Sequence, residues 1–220
     1  MRINMWRAIA GLASTGLLAV VALLVCGFQS TYPAPGAGRQ SYAAGTSCGS
    51  PPFSDLFTGS GSLGSCYTAL AMGSYGPLAK SSGTATCASS GGCISVITGV
   101  TFPANQYFEA APASSLIGGY AYWCIEMNTA GTGVCFFSDQ FSGGINAIYT
   151  LVGGSPTTSL ASCSTPGAGD TIKISNVGTA VTVTDVTAST TLCTGTYSGT
   201  GSPAFGLFNT IGSFGPITAD

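Results

Sequence analysis

Eight cysteines, Cys48, Cys66, Cys87, Cys93, Cys124, Cys135, Cys163 and Cys193, are spread from residue 48 onward through a chain that contains no histidine. No two of them form a CxxC pair, so a thiolate metal site has neither of its usual sequence marks. The even number reads instead as four disulfides, which persist in an oxidising compartment. The chain is therefore expected to work outside the cytoplasm. Eight cysteines allow about 105 connectivities, and sequence alone does not choose among them. Local geometry favours some. Cys124 and Cys135 face each other if residues 120–127 and 132–138 form a hairpin around Asn128-Thr129-Ala130-Gly131. Cys87 and Cys93 flank Ala-Ser-Ser-Gly-Gly, a loop free enough to close on itself. Cys48–Cys66 and Cys163–Cys193 are then the simplest remainder, and each long-loop bridge would stabilise by roughly 2–4 kcal/mol.

The ninth cysteine, Cys26, lies in a different kind of segment. Arg2 and Arg7 precede an uncharged run, residues 8–28, whose most apolar part is residues 17–25. This is the pattern of a secretory signal. The run also has the roughly 20 residues that a membrane-spanning helix needs, with its N-terminus cytoplasmic by the positive-inside rule. Gly11, Ser14, Thr15 and Gly16 weaken it as a membrane helix, and Ala34, Gly36, Ala37 and Gly38 offer cleavage sites. A third option is lipidation at Cys26, since Leu23-Leu24-Val25-Cys26-Gly27 resembles a bacterial lipoprotein box except for Val25, where a small residue usually stands. All three place the rest of the chain outside. The expected organisation is a signal peptide or anchor helix over residues 1–28, a Pro/Gly/Ala/Ser linker over 29–47, and one domain over 48–220.

Charge narrows the list of partners. Only 5% of the chain is charged, against roughly 25% in ordinary soluble domains. From Cys48 onward two lysines, Lys80 and Lys173, stand against seven acidic residues, a net charge of −5. No basic stripe exists to neutralise phosphates, which argues against nucleic acid. A membrane would be met only through the N-terminal segment. The missing histidine removes the commonest general base and the commonest metal ligand, and no metal or cofactor site is expected from the residues themselves.

Between the cysteines no window carries apolar residues at helical spacing. Short runs recur instead, divided by Gly and Ser clusters, the pattern of an all-β domain. Residues 94–102 and 106–111 read as early strands, 145–152 and 158–163 as middle ones, and 192–196 and 204–208 as closing ones. Residues 119–127 alternate, with Ala121, Trp123, Ile125 and Met127 on one face and Tyr120, Tyr122, Cys124 and Glu126 on the other. The clearest hairpin folds residues 171–176 onto 179–184 about Val177-Gly178. Pairing Asn176 with Thr179 sets Ile174 opposite Val181 and Ile172 opposite Val183, and leaves Lys173, Ser175, Thr182 and Thr184 on the other side. About ten or more such strands predict a two-sheet antiparallel sandwich.

The order of pieces then becomes informative. Phe53-Ser-Asp-Leu-Phe, Phe102-Pro-Ala-Asn-Gln-Tyr-Phe-Glu109 and Gly118-Gly-Tyr-Ala-Tyr122 come first. Tyr149-Thr-Leu-Val-Gly-Gly-Ser, Leu160-Ala-Ser, Gly169-Asp-Thr-Ile-Lys-Ile-Ser, Val181-Thr-Val-Thr and Gly201-Ser-Pro-Ala-Phe-Gly-Leu-Phe208 follow. Over residues 53–220 this succession resembles the concanavalin A-like (laminin-G-like) jelly-roll domains of secreted and surface proteins. The resemblance implies two curved antiparallel sheets and a concave face that often holds sugar. It also implies, by fold analogy alone, a structural calcium, for which Asp55 and Asp220 near the chain ends are the candidates. The fold hosts lectins, glycosidases, lyases and adhesive modules, so it does not fix function.

Retaining glycosidases need two carboxylates about 5–5.5 Å apart. Glucan-cleaving relatives carry them as Glu-x-Asp-x-x-Glu, but here Ala-Ala-Pro-Ala follows Glu109 and Met-Asn-Thr-Ala follows Glu126. A dyad of Glu109 and Glu126 across strands is the remaining catalytic option. Serine has no histidine or evident lysine partner to activate it, and Asp170 in Gly-Asp-Thr reads as a turn residue. For binding, Tyr120, Tyr122 and Glu126 form the first candidate groove, with Tyr107 and Glu109 beside it; the competing reading is that these tyrosines simply cover a sheet. The favoured expectation is an extracellular or cell-surface, non-catalytic module for glycan or another surface molecule. A polysaccharide-degrading enzyme, glycosidase or lyase, with an atypical site and a structural envelope protein without small ligand are the alternatives.

Overall fold

Alternation along the chain becomes alternation in space between residues 172 and 185, where apolar Ile172, Ile174, Val181 and Val183 are fully buried and the residues between Ile172 and Ile174 and between Val181 and Val183, Lys173 and Thr182, are half-buried. The computed structural model describes residues 48–70, 76–87, 92–113, 119–139, 144–208 and 212–220. Residues 1–47, and with them the alternatives of cleavage, anchoring and lipidation at Cys26, lie outside the described residues. Sixteen strands occur among the described residues. In chain order they begin with β1 (Phe53–Asp55), β2 (Ser60–Ser62), β3 (Tyr67–Ala69), β4 (Leu78–Ser81), β5 (Thr84–Cys87), β6 (Cys93–Ile97), β7 (Tyr107–Pro112) and β8 (Tyr120–Met127). They continue with β9 (Gly133–Ser138), β10 (Asn146–Val152), β11 (Ser155–Ser162), β12 (Ile172–Val177), β13 (Ala180–Asp185), β14 (Thr190–Thr196), β15 (Ser202–Phe208) and β16 (Ser213–Ala219).

Two antiparallel sheets form a jelly-roll sandwich. The first has the order β14-β13-β12-β7-β16-β5-β4-β2, with β1 also pairing β16; the second has the order β11-β10-β9-β8-β15-β6-β3. Their facing sides share one core. In it the Trp123 indole packs against Phe136 and Phe214 and donates its N–H to the Ala110 carbonyl across the gap at 3.0 Å. A buried indole N–H without an acceptor would cost about 1–3 kcal/mol, so this bond fixes the tryptophan's orientation.

Two sequence expectations change. The β12–β13 hairpin pairs Ile174 with Val183 and Val177 with Ala180, so its register differs by two residues from the one expected. The loop is Gly178-Thr179, with Gly178 at φ 58°, a left-handed backbone that glycine adopts without strain. A slip of two keeps every side chain on its face, and the apolar side remains the buried one. Strand β16 was not anticipated, because Gly215 and Pro216 interrupt its pattern. The pairing with β7 shifts between Phe214 and Ile217, and Pro216 is exposed there, which is how a proline fits within a central strand.

All eight domain cysteines are bonded, each to its neighbour in chain order: Cys48–Cys66, Cys87–Cys93, Cys124–Cys135 and Cys163–Cys193. Cys124 and Cys135 are register partners within the second sheet. The other three connect segments of the first sheet with segments of the second. Gly99 lies so close to Cys48 and Cys66 that a Cβ would overlap the bridge, so any larger residue there would displace it. Four disulfides fit a protein that folds and works in an oxidising environment.

Candidate functional site

The five residues proposed from sequence do not form one groove. Tyr107 and Glu109, half-buried on β7, point to the outer side of the first sheet, away from buried Phe108 and Ala110. Tyr120 and Tyr122 lie on the outer side of the second sheet, where Tyr122 packs 4.5 Å from Phe137 in a second apolar cluster. Tyr120 packs against the same cluster. These two tyrosines cover a sheet.

Glu126 is a correction to the expected alternation. It takes φ 53°, and the β8–β15 register shifts beside it, with Ser202 opposite Met127 but Ala204 opposite Cys124. One residue in the left-handed region reverses the side on which the next ones point. Met127 therefore joins the outer cluster with Tyr122, and Glu126 turns to the inner side at the end of the sandwich. There its Oε1 accepts from Asn176 Nδ2 at 2.8 Å, and its backbone N–H donates to Gln106 Oε1 at 3.1 Å. Gln106 Nε2 donates to the carbonyls of Gly201 and Pro103, and Asn176 Nδ2 also reaches the Ala104 carbonyl. Glu126 Oε2 is buried without a hydrogen-bond partner.

Burial pushes the Glu126 carboxyl above the ordinary range, partly offset by the Gly199 amide. Tyr197 is the titratable group beside it, its hydroxyl raised by burial and then by the Glu126 charge. A carboxyl that holds its proton more tightly when folded stabilises the fold at acid pH, and that contribution is lost as pH rises through the folded value. Glu126→Gln, which cannot ionise, should therefore gain stability relative to the native protein as pH rises from about 4, where an unfolded glutamate ionises, toward neutrality. Urea unfolding across that range checks it; a constant difference would show that Glu126 does not titrate there.

Asp55 is committed elsewhere. It accepts from the Phe57 amide and the Tyr67 hydroxyl and pairs with Lys80 at 3.4 Å, while burial and Asp55 together push the Tyr67 hydroxyl far up. Asp55 stands opposite Ile217, three residues from Asp220, so the two acids proposed for calcium do not meet. Asp220 exchanges backbone hydrogen bonds with Tyr107. Among the described residues no three His, Cys, Asp or Glu side chains converge. One carboxyl pair was missed from sequence: Asp170, in a turn onto Gly167, is hydrogen-bonded to buried Asp185, which raises its pKa. Direct contact is closer than the about 5–5.5 Å that a retaining glycosidase leaves between its carboxyls.

What the fold does present to solvent is the outer side of the first sheet. Residues directly opposite in neighbouring strands share a face. One row runs Thr191, Thr184, Lys173, Glu109, Thr218, Ser54, and the next runs Thr194, Thr182, Ser175, Tyr107, Asp220. All are half-buried or exposed. Lys173 Nζ lies 4.0 Å from the Tyr107 ring centre, a cation–π contact worth about 0.5–1 kcal/mol at such a site. Burial, then Asp220 and Glu109, raise the Tyr107 hydroxyl's pKa. The side-chain types are hydroxyls, one aromatic ring, one ammonium and two carboxylates. Of these, sequence reasoning singled out Tyr107 and Glu109 for binding and Asp220 for calcium. Lys173, Ser175, Thr182 and Thr184 were legible as an outer face but not as part of a site.

No protein-family model matches the chain, and no curated protein matches it. Solved structures do. The chain is similar to the carbohydrate-binding module CBM66 from Bacillus subtilis at 13% identity and a TM-score of 0.53, over 70% of this chain and 95% of that one. It is also similar to the CBM2 module of the evolved Dit of Lactobacillus casei BL23 phage J-1, at 12% identity and a TM-score of 0.49, over 76% and 94% of the two chains. At such identities the CBM66 likeness establishes the β-sandwich fold and nothing finer, and the second adds no argument.

Proposed function

We propose that this chain is an exported, non-catalytic module that binds carbohydrate, with a concanavalin A-like domain over residues 48–220 behind a signal peptide or anchor. The observation that carries the reading is the polar outer face of the first sheet. Hydroxyls from Thr194, Thr182 and Ser175 lead to the Tyr107 ring, with Glu109 and Asp220 beside it. Sugars hydrogen-bond to hydroxyls and carboxylates and pack their C–H faces on aromatic rings. The fold shared with a carbohydrate-binding module supports the same reading. The four bridges and the apolar leader support export.

Purified, oxidised protein on a glycan array is expected to bind at least one glycan class above background. A folded protein that binds none would sink the proposal. Release of reducing ends or unsaturated products from a polysaccharide panel would instead overturn the non-catalytic part of the proposal.

A further inference from the structure

The two rows on the first sheet continue across strands, with short hydroxylated side chains on either side of Lys173, Glu109 and Tyr107. One crosses six strands, β14, β13, β12, β7, β16 and β1. At the usual strand spacing of about 4.8 Å that is roughly 24 Å, with the second row about 7 Å away. Resting on the carbohydrate-binding reading, we propose that this face receives an extended, uncharged polysaccharide lying across the strands, gripped along its length and not at a chain end.

Shape is the first reason. Seven of the eleven positions are Thr or Ser on the two rows' β14, β13, β12, β16 and β1 strands, and Tyr107 is the one aromatic. Short hydroxylated side chains standing in register make a shallow surface of donors and acceptors at a regular repeat. An extended glycan offers its own hydroxyls at a similar repeat, so contacts can recur along the chain. A site for a chain end would need larger groups closing around it.

Charge is the second reason. An acidic polysaccharide, uronate or sulfated, needs free cations. Among the described residues the lysines are Lys80, paired with Asp55 at 3.4 Å, and Lys173, placed over Tyr107 and opposite Glu109. Glu109 and Asp220 would repel an anionic chain arriving there. A neutral polymer meets no such penalty, and its binding would depend little on salt, because few ion pairs form.

The test is depletion of the exported, oxidised protein from solution by insoluble neutral polysaccharides at low and high salt. Soluble short oligosaccharides of the same sugars, uronate and sulfated polymers, and a deacetylated amino-sugar polymer are the competitors. The expected result is retention on at least one neutral polymer, unchanged by salt and poorly displaced by the short or charged competitors. Tyr107→Ala should lower retention roughly tenfold or more, as loss of an aromatic anchor does. Thr182→Glu, which adds a charge to the same row, guards against a folding defect specific to the tyrosine variant. Thr157→Glu, exposed on β11 of the other sheet, should bind as the native protein does. Carbohydrate binding that survives both Tyr107→Ala and Thr182→Glu would overturn this placement while leaving the broader function standing. Preference for a charged polymer, steep salt dependence, or equal affinity for short oligosaccharides would overturn the ligand class. Binding to no carbohydrate would remove the broader function and this inference together.

Discussion

Phe205→Ala is expected to lower the free energy of unfolding by about 4 kcal/mol, within the range of about 3–5 kcal/mol for removing a fully buried phenylalanine. Phe205 on β15 has no exposed surface. Its ring stacks on Phe108 at 5.4 Å and meets Phe214 edge-on at 5.5 Å, both from the first sheet. From its own side Tyr67 meets it edge-on at 6.0 Å, and Phe57 lies at 5.9 Å. Rings from both sheets and one connection thus converge on a single side chain. Truncation leaves a cavity whose walls, stiff aromatic rings, relax little to fill it. Urea unfolding measures the loss. A cost below about 2 kcal/mol would show that the neighbours collapse into the space.

Replacing Cys163 and Cys193 together by serine is expected to cost about 3–4 kcal/mol, from a bridge that closes 30 residues of chain. Replacing Cys87 and Cys93, only 6 apart, should cost about 2 kcal/mol in the same chain-entropy account. The first pair also joins the end of β11, an edge strand of one sheet, to β14, an edge strand of the other, where Gly195 packs on Leu160. Losing it opens that side of the sandwich as well as lengthening the free chain. Denaturant midpoints of the two double variants, with and without reductant, give the comparison. The reverse order would mean that loop length is not what sets their effect.

The all-β class was legible because short apolar runs between Gly and Ser clusters leave no room for a helical stripe. The inward face of the β12–β13 hairpin was legible from parity alone, since Ile172, Ile174, Val181 and Val183 stay in phase under any even slip. The register was not, because it depends on which two residues turn, and Gly178 takes the first loop position. Strand β16 escaped because Gly215-Pro216 breaks its pattern where a bulge accommodates it. Glu126 escaped for a related reason: nothing in a run of alternating residues announces the one that enters the left-handed region. Its partner did leave a trace. Asn176 is polar but in phase with Ile172 and Ile174, a mark of a buried hydrogen-bonded position at the end of a strand. The outer face of the first sheet was half legible, since its residues could be assigned to one side of a hairpin before the four neighbouring strands that extend it were known.

The Cys48–Cys66 bridge also has a mechanical consequence. Strand β1 is three residues long and is held to β16 by the pairs Phe53–Ala219, Ser54–Thr218 and Asp55–Ile217. A pull on the chain preceding Cys48 would peel so short a ribbon one pair at a time. The bridge intercepts that pull five residues earlier and passes it covalently to Cys66 and on toward β3 in the opposite sheet. Tension drawn through the N-terminal segment would therefore be shared by both halves of the sandwich before any backbone pairing is tested.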